Sequence, residues 1–217
     1  MLGVVMEACV FDLDGVLVDS EPVWEQVRRA YVADHGGTWQ PDTQSRLMGM
    51  STGEGAAYLR ELGVRLTPDE IAESVIDQMA ERYQDGVPLL PGAREAVQRL
   101  AARFTLGLAS SSPRRLIDVV LDASELREYF VTTVSTEEVA RGKPAPDGYL
   151  EAARRLEIYP KDCVAVEDSS NGLRSAHAAG MRVIAVPHAD YPPDDDALAI
   201  AWRVLPDLDA LTVELLT

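Results

Sequence analysis

Positive charge is the scarcest property of this chain. Its 217 residues carry a formal net charge of −16, and of its 20 basic residues only Lys143 and Lys161 are lysines. Nucleic acids and anionic membranes are bound through basic patches, so the sequence predicts neither as a partner. An anionic substrate would need a local positive field, supplied by a metal ion, a lysine or the amino ends of helices.

Cysteines and long apolar stretches are also in short supply. The two cysteines, Cys9 and Cys163, each lie in an apolar segment, so we expect buried free thiols rather than a disulfide. No apolar run is long enough to span a membrane, and no signal peptide is evident. We therefore expect a cytoplasmic protein without a membrane partner, and a monomer.

The order of the apolar segments predicts an α/β fold. Strands alternate with helices along residues 87–217, which is typical of a parallel sheet covered on both faces. Residues 18–86 read as helices only, with capping boxes at Ser51–Glu54 and Thr67–Glu70, and a simple crossover needs far fewer residues. The sequence therefore predicts a doubly wound, Rossmann-like core, residues 1–17 and 87–217, with an inserted small all-helical cap, residues 18–86. The predicted strands are 7–12, 104–109, 131–134, 163–167, 182–186 and 202–205.

Two aspartates follow the first predicted strand. Asp12 ends that strand, and Asp14 shares its face because alternate side chains of extended backbone point the same way. Adjacent carboxylates repel each other unless a cation neutralises them or one keeps its proton. The pair therefore indicates a hard divalent cation, nucleophilic carboxylate chemistry, or both. Gly15 lets the backbone turn sharply beside them.

Further polar residues lie at the ends of other predicted strands or just before a helix. Ser110 and Ser111 follow the strand over 104–109, and Ser112 and Pro113 are predicted to open the next helix as its N-cap and first residue. Lys143 precedes the helix predicted over 146–156. In a doubly wound sheet, ligands bind outside the carboxyl ends of the strands, so we expect these residues to converge there.

Two more acids, Glu167 and Asp168, end the strand predicted over 163–167. Together with Asp12 and Asp14 they would form a carboxylate nest at one sheet edge. Mg²⁺ prefers oxygen ligands, and no histidine lies near these motifs, which argues against zinc. We expect Asp12, Asp168 and the backbone carbonyl of Asp14 to bind Mg²⁺, with Glu167 in or beside the ligand shell.

The four motifs, in this order, resemble those of the haloacid dehalogenase superfamily. They are Asp12-Leu13-Asp14-Gly15-Val16, Leu106–Ser111, Gly142–Pro146 and Val164–Ser169. Within the superfamily the chain is similar to the β-phosphoglucomutase-like branch, and there to bacterial sugar-phosphate phosphatases such as 2-deoxyglucose-6-phosphatase. Residues 19–24 and 88–97 carry that closer likeness.

The resemblance implies a Mg²⁺-dependent phosphatase that works through an aspartyl phosphate. Asp12 would be the nucleophile, and Asp14 the acid for the leaving alcohol and then the base for water. The Ser110 hydroxyl and the Ser111 amide would bind phosphate oxygens, and Lys143 would link Asp12 to the phosphate. The implied substrate is a small phosphorylated metabolite, a sugar or polyol monophosphate.

The cap is expected to select the substrate. Glu21, Trp24 and the loop 47–53 are the candidates there, and Asn171 is a further candidate from the helix after the fourth motif. A carboxylate and an indole together suit a polyol with hydroxyls and an apolar face. They do not identify the sugar.

A phosphosugar mutase is the main alternative, and a non-catalytic binding protein on the same fold is a remote one. The mutase branch has a histidine where this chain has Trp24, and an arginine that grips the second phosphate where this chain has Thr52. Both differences favour hydrolysis. The arginines of the cap segment leave a substitute clamp open, and the candidates are Arg46, Arg60 and Arg65.

Overall fold

A parallel sheet forms the centre of the molecule in a computed structural model that describes residues 6–47 and 50–217. The strands are β1 (Ala8–Phe11), β2 (Thr105–Ser110), β3 (Phe130–Ser135), β4 (Cys163–Glu167), β5 (Arg182–Ala185) and β6 (Arg203–Val204). Within the described residues they pair in the order β3-β2-β1-β4-β5-β6, and every pairing is parallel. The predicted doubly wound sheet is confirmed.

Helices of the core cover both faces of this sheet, and further helices lie in the segment that follows β1. In chain order they are α1 (Glu21–Asp34), α2 (Thr43–Leu47), α3 (Thr52–Glu61), α4 (Pro68–Gln84), α5 (Ala93–Ala101), α6 (Arg114–Ala123), α7 (Asp147–Leu156), α8 (Ser170–Ala178), α9 (Asp195–Ala199) and α10 (Val213–Leu216). Short 3₁₀ helices occur at Arg127–Tyr129, Thr136–Glu138 and Pro160–Asp162.

Alternate residues of β1 belong to two different hydrophobic clusters. Cys9 and Phe11 pack with α5, α6 and the helical segment between β1 and α5, whereas Ala8 and Val10 pack with α7 and α8. Both faces of the central strand are therefore buried, which is why its sequence is continuously apolar. Cys9 and Cys163 are buried free thiols, as predicted.

The described residues between β1 and α5 form helices α1 to α4 and no strand. The predicted capping boxes are present at the starts of α3 and α4. α4 packs against α6 of the core, and Asp77 of α4 forms an ion pair with Arg115 of α6. No helix in the described part of the chain is long and apolar enough to cross a membrane.

The chain enters and leaves this helical segment through two adjacent strands of backbone. Val18 bridges Leu89 in antiparallel fashion, the Leu90 N–H donates to the Leu17 carbonyl at 2.9 Å, and the Asp19 N–H donates to the Pro88 carbonyl at 2.9 Å. These crossings lie close to the predicted limits of the cap at residues 18 and 86. Its status as a separate domain stays a prediction.

Candidate active site

The site lies where the strand order diverges. β1 has β2 on one side and β4 on the other, so the connections from the centre of the sheet run in opposite directions and leave a crevice at the strand ends. Asp12 follows β1, Ser110 ends β2 and Glu167 ends β4. The parallel register therefore brings three of the four sequence motifs to one edge.

Lys143 joins two of the acids. Its Nζ lies 2.8 Å from Oδ1 of Asp12 and 2.6 Å from Oε1 of Glu167, and the three side chains are at most 8% exposed. Burial lowers the pKa of Lys143, but the two carboxylates outweigh that effect and raise it above its ordinary value. Lys143 is therefore a permanent cation whose charge is already shared by two carboxylates.

The side chains of Asp12, Glu167 and Asp168 could hold a metal ion, because each offers an oxygen within 4.8 Å of the others. Oδ1 of Asp168 is buried and has no hydrogen-bond partner among the described residues. Burial and then the Glu167 charge raise the pKa of Asp12 to about 8, and the same two causes raise that of Asp168 well above its usual range. An unpartnered buried carboxylate oxygen beside two other acids fits a divalent cation with oxygen ligands.

Asp14 is turned away from that cluster. Its Oδ2 accepts hydrogen bonds from the Ser112 hydroxyl at 2.7 Å and the Ser110 hydroxyl at 3.2 Å. The Asp14 side chain is not part of the group of acids that could hold a metal ion. The prediction that Ser112 caps α6 was wrong, because Pro113 occupies the N-cap position and the Ser112 hydroxyl is used by Asp14.

Glu167 is fully buried and is held in place by hydrogen bonds from three side chains. Its Oε1 accepts from Lys143 and from the Tyr149 hydroxyl at 2.7 Å, and its Oε2 accepts from the Ser169 hydroxyl at 3.2 Å. A Cβ at Gly172 would lie 1.9 Å from the Glu167 carboxyl carbon, so only glycine fits there. Glu167 thus fixes Lys143 from a fully buried position.

Gly15 is a second position in the site at which only glycine fits. Its φ is +75°, in the region that favours glycine, and a Cβ would lie 1.9 Å from Oδ2 of Asp168. The sharp turn predicted for Gly15 is therefore also a close approach between the first and fourth motifs.

The acids open into a cavity of about 960 Å³ between the core and the helical segment. Predicted site residues that line it are Asp12, Asp14, Ser111, Lys143, Asp168, Glu21, Trp24 and Asn171. Ser110 and Glu167 are 1% and 0% exposed and lie behind its wall. Of the predicted loop 47–53, Met48 and Gly49 lie outside the described residues, and the other five line the cavity.

The arginines that the sequence offered as a substitute clamp do not line this cavity. Arg46 is exposed and pairs with Asp42, and Arg60 and Arg65 line a separate cavity of about 500 Å³. Arg28, which sequence reasoning missed, does line it. Its spacing from Glu21 and Trp24, seven and four residues along α1, was the signal available, because such positions share a helix face.

Tyr149 and Gly172 were also missed. Tyr149 lies on the buried face of α7 and looks in sequence like a core aromatic residue, with nothing in its spacing to connect it to Glu167. Gly172 carried a weak signal, because glycine is a poor helix former and lies here in the first turn of α8.

Comparison with known proteins places this geometry in a family. A family model described as haloacid dehalogenase-like hydrolase matches residues 6–180. Hexitol phosphatase B of Escherichia coli (strain K12) is 36% identical over 213 residues, which cover 95% of each chain. The phosphorylated carbohydrates phosphatase of Thermotoga maritima is 33% identical over 187 residues, covering 85% of this chain and 87% of that one.

Solved structures give the same result. CbbY from Rhodobacter sphaeroides, in complex with phosphate, superposes with a TM-score of 0.84 at 27% identity and covers 95% of this chain and 96% of its own. A putative β-phosphoglucomutase from Thermotoga maritima has a TM-score of 0.79 at 32% identity, with 95% and 97% covered. With a family model that spans most of its length and relatives that match it almost end to end, this chain belongs to the haloacid dehalogenase-like hydrolases.

Proposed function

We propose that the protein is a Mg²⁺-dependent phosphatase that hydrolyses a small phosphorylated sugar or polyol. The observation that carries the proposal is the division of the two aspartates: Asp12 is paired with Lys143 beside the acid cluster, whereas Asp14 faces two hydroxyls. Two relatives are named as phosphatases of hexitols and of phosphorylated carbohydrates, which supports the substrate class.

In the first step, a carboxylate oxygen of Asp12 attacks phosphorus and the ester P–O bond breaks. Asp14 donates its proton to the departing alkoxide oxygen, so an alcohol leaves. Lys143 orients Asp12 for this attack through their ion pair. The products of this step are the alcohol and an aspartyl phosphate on Asp12.

In the second step, water attacks the phosphorus of the aspartyl phosphate. Asp14, now a carboxylate, takes a proton from that water, and the bond between phosphorus and the Asp12 oxygen breaks. Inorganic phosphate leaves, and both aspartates return to their starting forms. One residue thus serves as acid and then as base.

The Ser111 backbone amide and the Ser110 hydroxyl are the proposed phosphate ligands of the protein. The Ser110 hydroxyl now donates to Asp14 from behind the cavity wall, so it would have to turn to reach a phosphate oxygen. Asp12, Asp168 and the backbone carbonyl of Asp14 would hold Mg²⁺. When bound, the ion supplies charge neutralisation for the phosphoryl oxygens and for the acid cluster. Glu167, whose oxygens are used by Lys143, Tyr149 and Ser169, supports this set from behind.

Asp12→Asn should lower turnover of sorbitol 6-phosphate by at least about 10³-fold, because an amide cannot attack phosphorus. Phosphate release is measured with Mg²⁺ present, and circular dichroism checks that the fold is kept. Asp34→Asn, an exposed acid at the end of α1, is the matched control and should keep wild-type turnover. Turnover by Asp12→Asn near the wild-type rate would remove Asp12 from the nucleophile role.

Asp14→Asn should slow hydrolysis of an alkyl ester more than that of an aryl ester. An alkoxide needs the proton from Asp14, worth about 10²-fold or more, whereas p-nitrophenolate leaves without one. The measurement compares single-turnover release of alcohol from sorbitol 6-phosphate with that of p-nitrophenol from its phosphate. Equal losses on the two esters would show that Asp14 is not the acid.

Chelation should abolish activity, and added Mg²⁺ should restore it. Asp168→Asn should raise the Mg²⁺ concentration that gives half-maximal activity by about tenfold or more, because it removes one charged oxygen ligand. Asp195→Asn, which changes an acid of α9 outside the cluster, should leave that concentration unchanged. Full activity after exhaustive chelation contradicts the metal requirement.

The product formed from β-glucose 1-phosphate distinguishes a phosphatase from a phosphosugar mutase, which would move the phosphate to another position of the sugar. With Mg²⁺ and a trace of glucose 1,6-bisphosphate, we expect free phosphate, because Trp24 and Thr52 replace the histidine and arginine of the mutase pattern. Enzymatic detection of glucose 6-phosphate beside a phosphate assay makes the measurement. Accumulation of glucose 6-phosphate without free phosphate would support the mutase instead.

A further inference from the structure

Two of the arginine and lysine side chains that line the active-site cavity have carboxylate partners. Lys143 is paired with the buried acids described above. Arg174 of α8 donates to Asp194 at 3.0 Å and to Asp196 at 2.8 Å. Carboxylates of the protein already neutralise both cations, so neither is available to pair with a second negative group on a substrate.

The third cation, Arg28 of α1, lacks such a partner. Among the described residues, no ion pair or hydrogen bond involves its guanidinium, whose Cζ lies 4.4 Å from the centre of the Trp24 ring. Burial lowers the pKa of Arg28, and the Glu21 charge opposes that effect. Glu21 itself accepts a hydrogen bond from the Gln44 amide at 2.8 Å.

Arg28 lies on the cavity face of α1, two turns after Glu21, which begins the helix. Burial raises the pKa of Glu21, the Arg28 charge lowers it, and the smaller effect of the Asp14 charge raises it, so Glu21 is in electrostatic range of both. The Arg28 side chain turns back along the helix, and its guanidinium lies over Trp24. An anionic group that reaches along α1 past Glu21 would meet it there.

We propose that Arg28 binds an anionic group of the substrate, a carboxylate or a second phosphate, other than the transferred phosphoryl group. A partly buried guanidinium without an ion pair or hydrogen bond costs free energy, and its planar fork fits both anions with two parallel hydrogen bonds. The Trp24 ring packs against one face of the guanidinium, and the N–H groups at the guanidinium edge are available to an anion. This inference rests on the proposed phosphatase function and narrows its substrate class to phosphorylated sugar acids and bisphosphates.

Matched substrates test the proposal. Sorbitol 6-phosphate and gluconate 6-phosphate differ only in a hydroxymethyl group or a carboxylate at the far end. Fructose 6-phosphate and fructose 1,6-bisphosphate make the corresponding comparison for a second phosphate. We expect the wild-type protein to favour the more anionic member of at least one pair, and the pair with the larger preference identifies the anion.

Arg28→Met should lower kcat/KM on the favoured anionic member by at least about tenfold, the size of one charge-assisted hydrogen bond. On its neutral-ended counterpart the loss should stay below about twofold. Arg29→Met is the matched control, since Arg29 is exposed and does not line the cavity, and it should change neither value. Equal losses on both members of a pair, or a loss on the neutral-ended one alone, would overturn the proposal.

Binding separates this inference from the proposed function. Calorimetry with Asp12→Asn protein measures the affinity for gluconate 6-phosphate and fructose 1,6-bisphosphate without turnover, with and without Arg28→Met. Weaker binding of one anion by tenfold or more in the double variant supports the Arg28 site even if the wild-type protein hydrolyses nothing. Unchanged affinity for both anions refutes it even if phosphatase activity is confirmed.

Discussion

The site depends on one buried lysine that keeps two carboxylates side by side. Without the charge of Lys143, the buried side chains of Asp12 and Glu167 would repel each other, and desolvation would favour their protonated forms. The lysine is itself fixed by burial, so its position depends on Glu167, and Glu167 depends on Tyr149 and the space at Gly172. The reactive end of Asp12 is thus positioned by Lys143, which lines the cavity, and by buried contacts behind it.

The acids of the site have two separate roles, one in positioning other side chains and one in contacting substrate and metal. Residues behind the wall set geometry and charge, whereas Asp12, Asp14 and Asp168 are available to substrate and metal. The separation explains how a chain of net charge −16 can offer a site to an anionic ester. Lys143 neutralises part of the acid cluster, and a bound cation would neutralise the rest.

Much of this was readable from the sequence, and the failures have physical causes. The strands, their alternation with helices and both capping boxes follow from short-range patterns, so they were predicted. The convergence of Asp12, Lys143 and Glu167 follows from the rule that strand ends meet at one edge. The sequence does not show which of several acceptors a hydroxyl will bind. Serine is a common N-cap residue, but the Ser112 hydroxyl donates its hydrogen bond to Asp14, 98 positions earlier in the chain. Arg28 was overlooked for a similar reason, since an arginine on a helix is ordinary until its lack of a partner is seen.

The paired crossings at Val18 and Leu89 have a geometric consequence for recognition. The backbone of the helical insertion joins the core at this neck, and its α4 also packs against α6. A tilt of the insertion about the neck would move Arg28 farther than Glu21, because Arg28 lies two turns farther along α1. Recognition by Arg28 would then be more sensitive to the angle of the insertion than the chemistry at Asp12. Substitutions at the neck could accordingly retune which molecules are accepted without touching a single catalytic group.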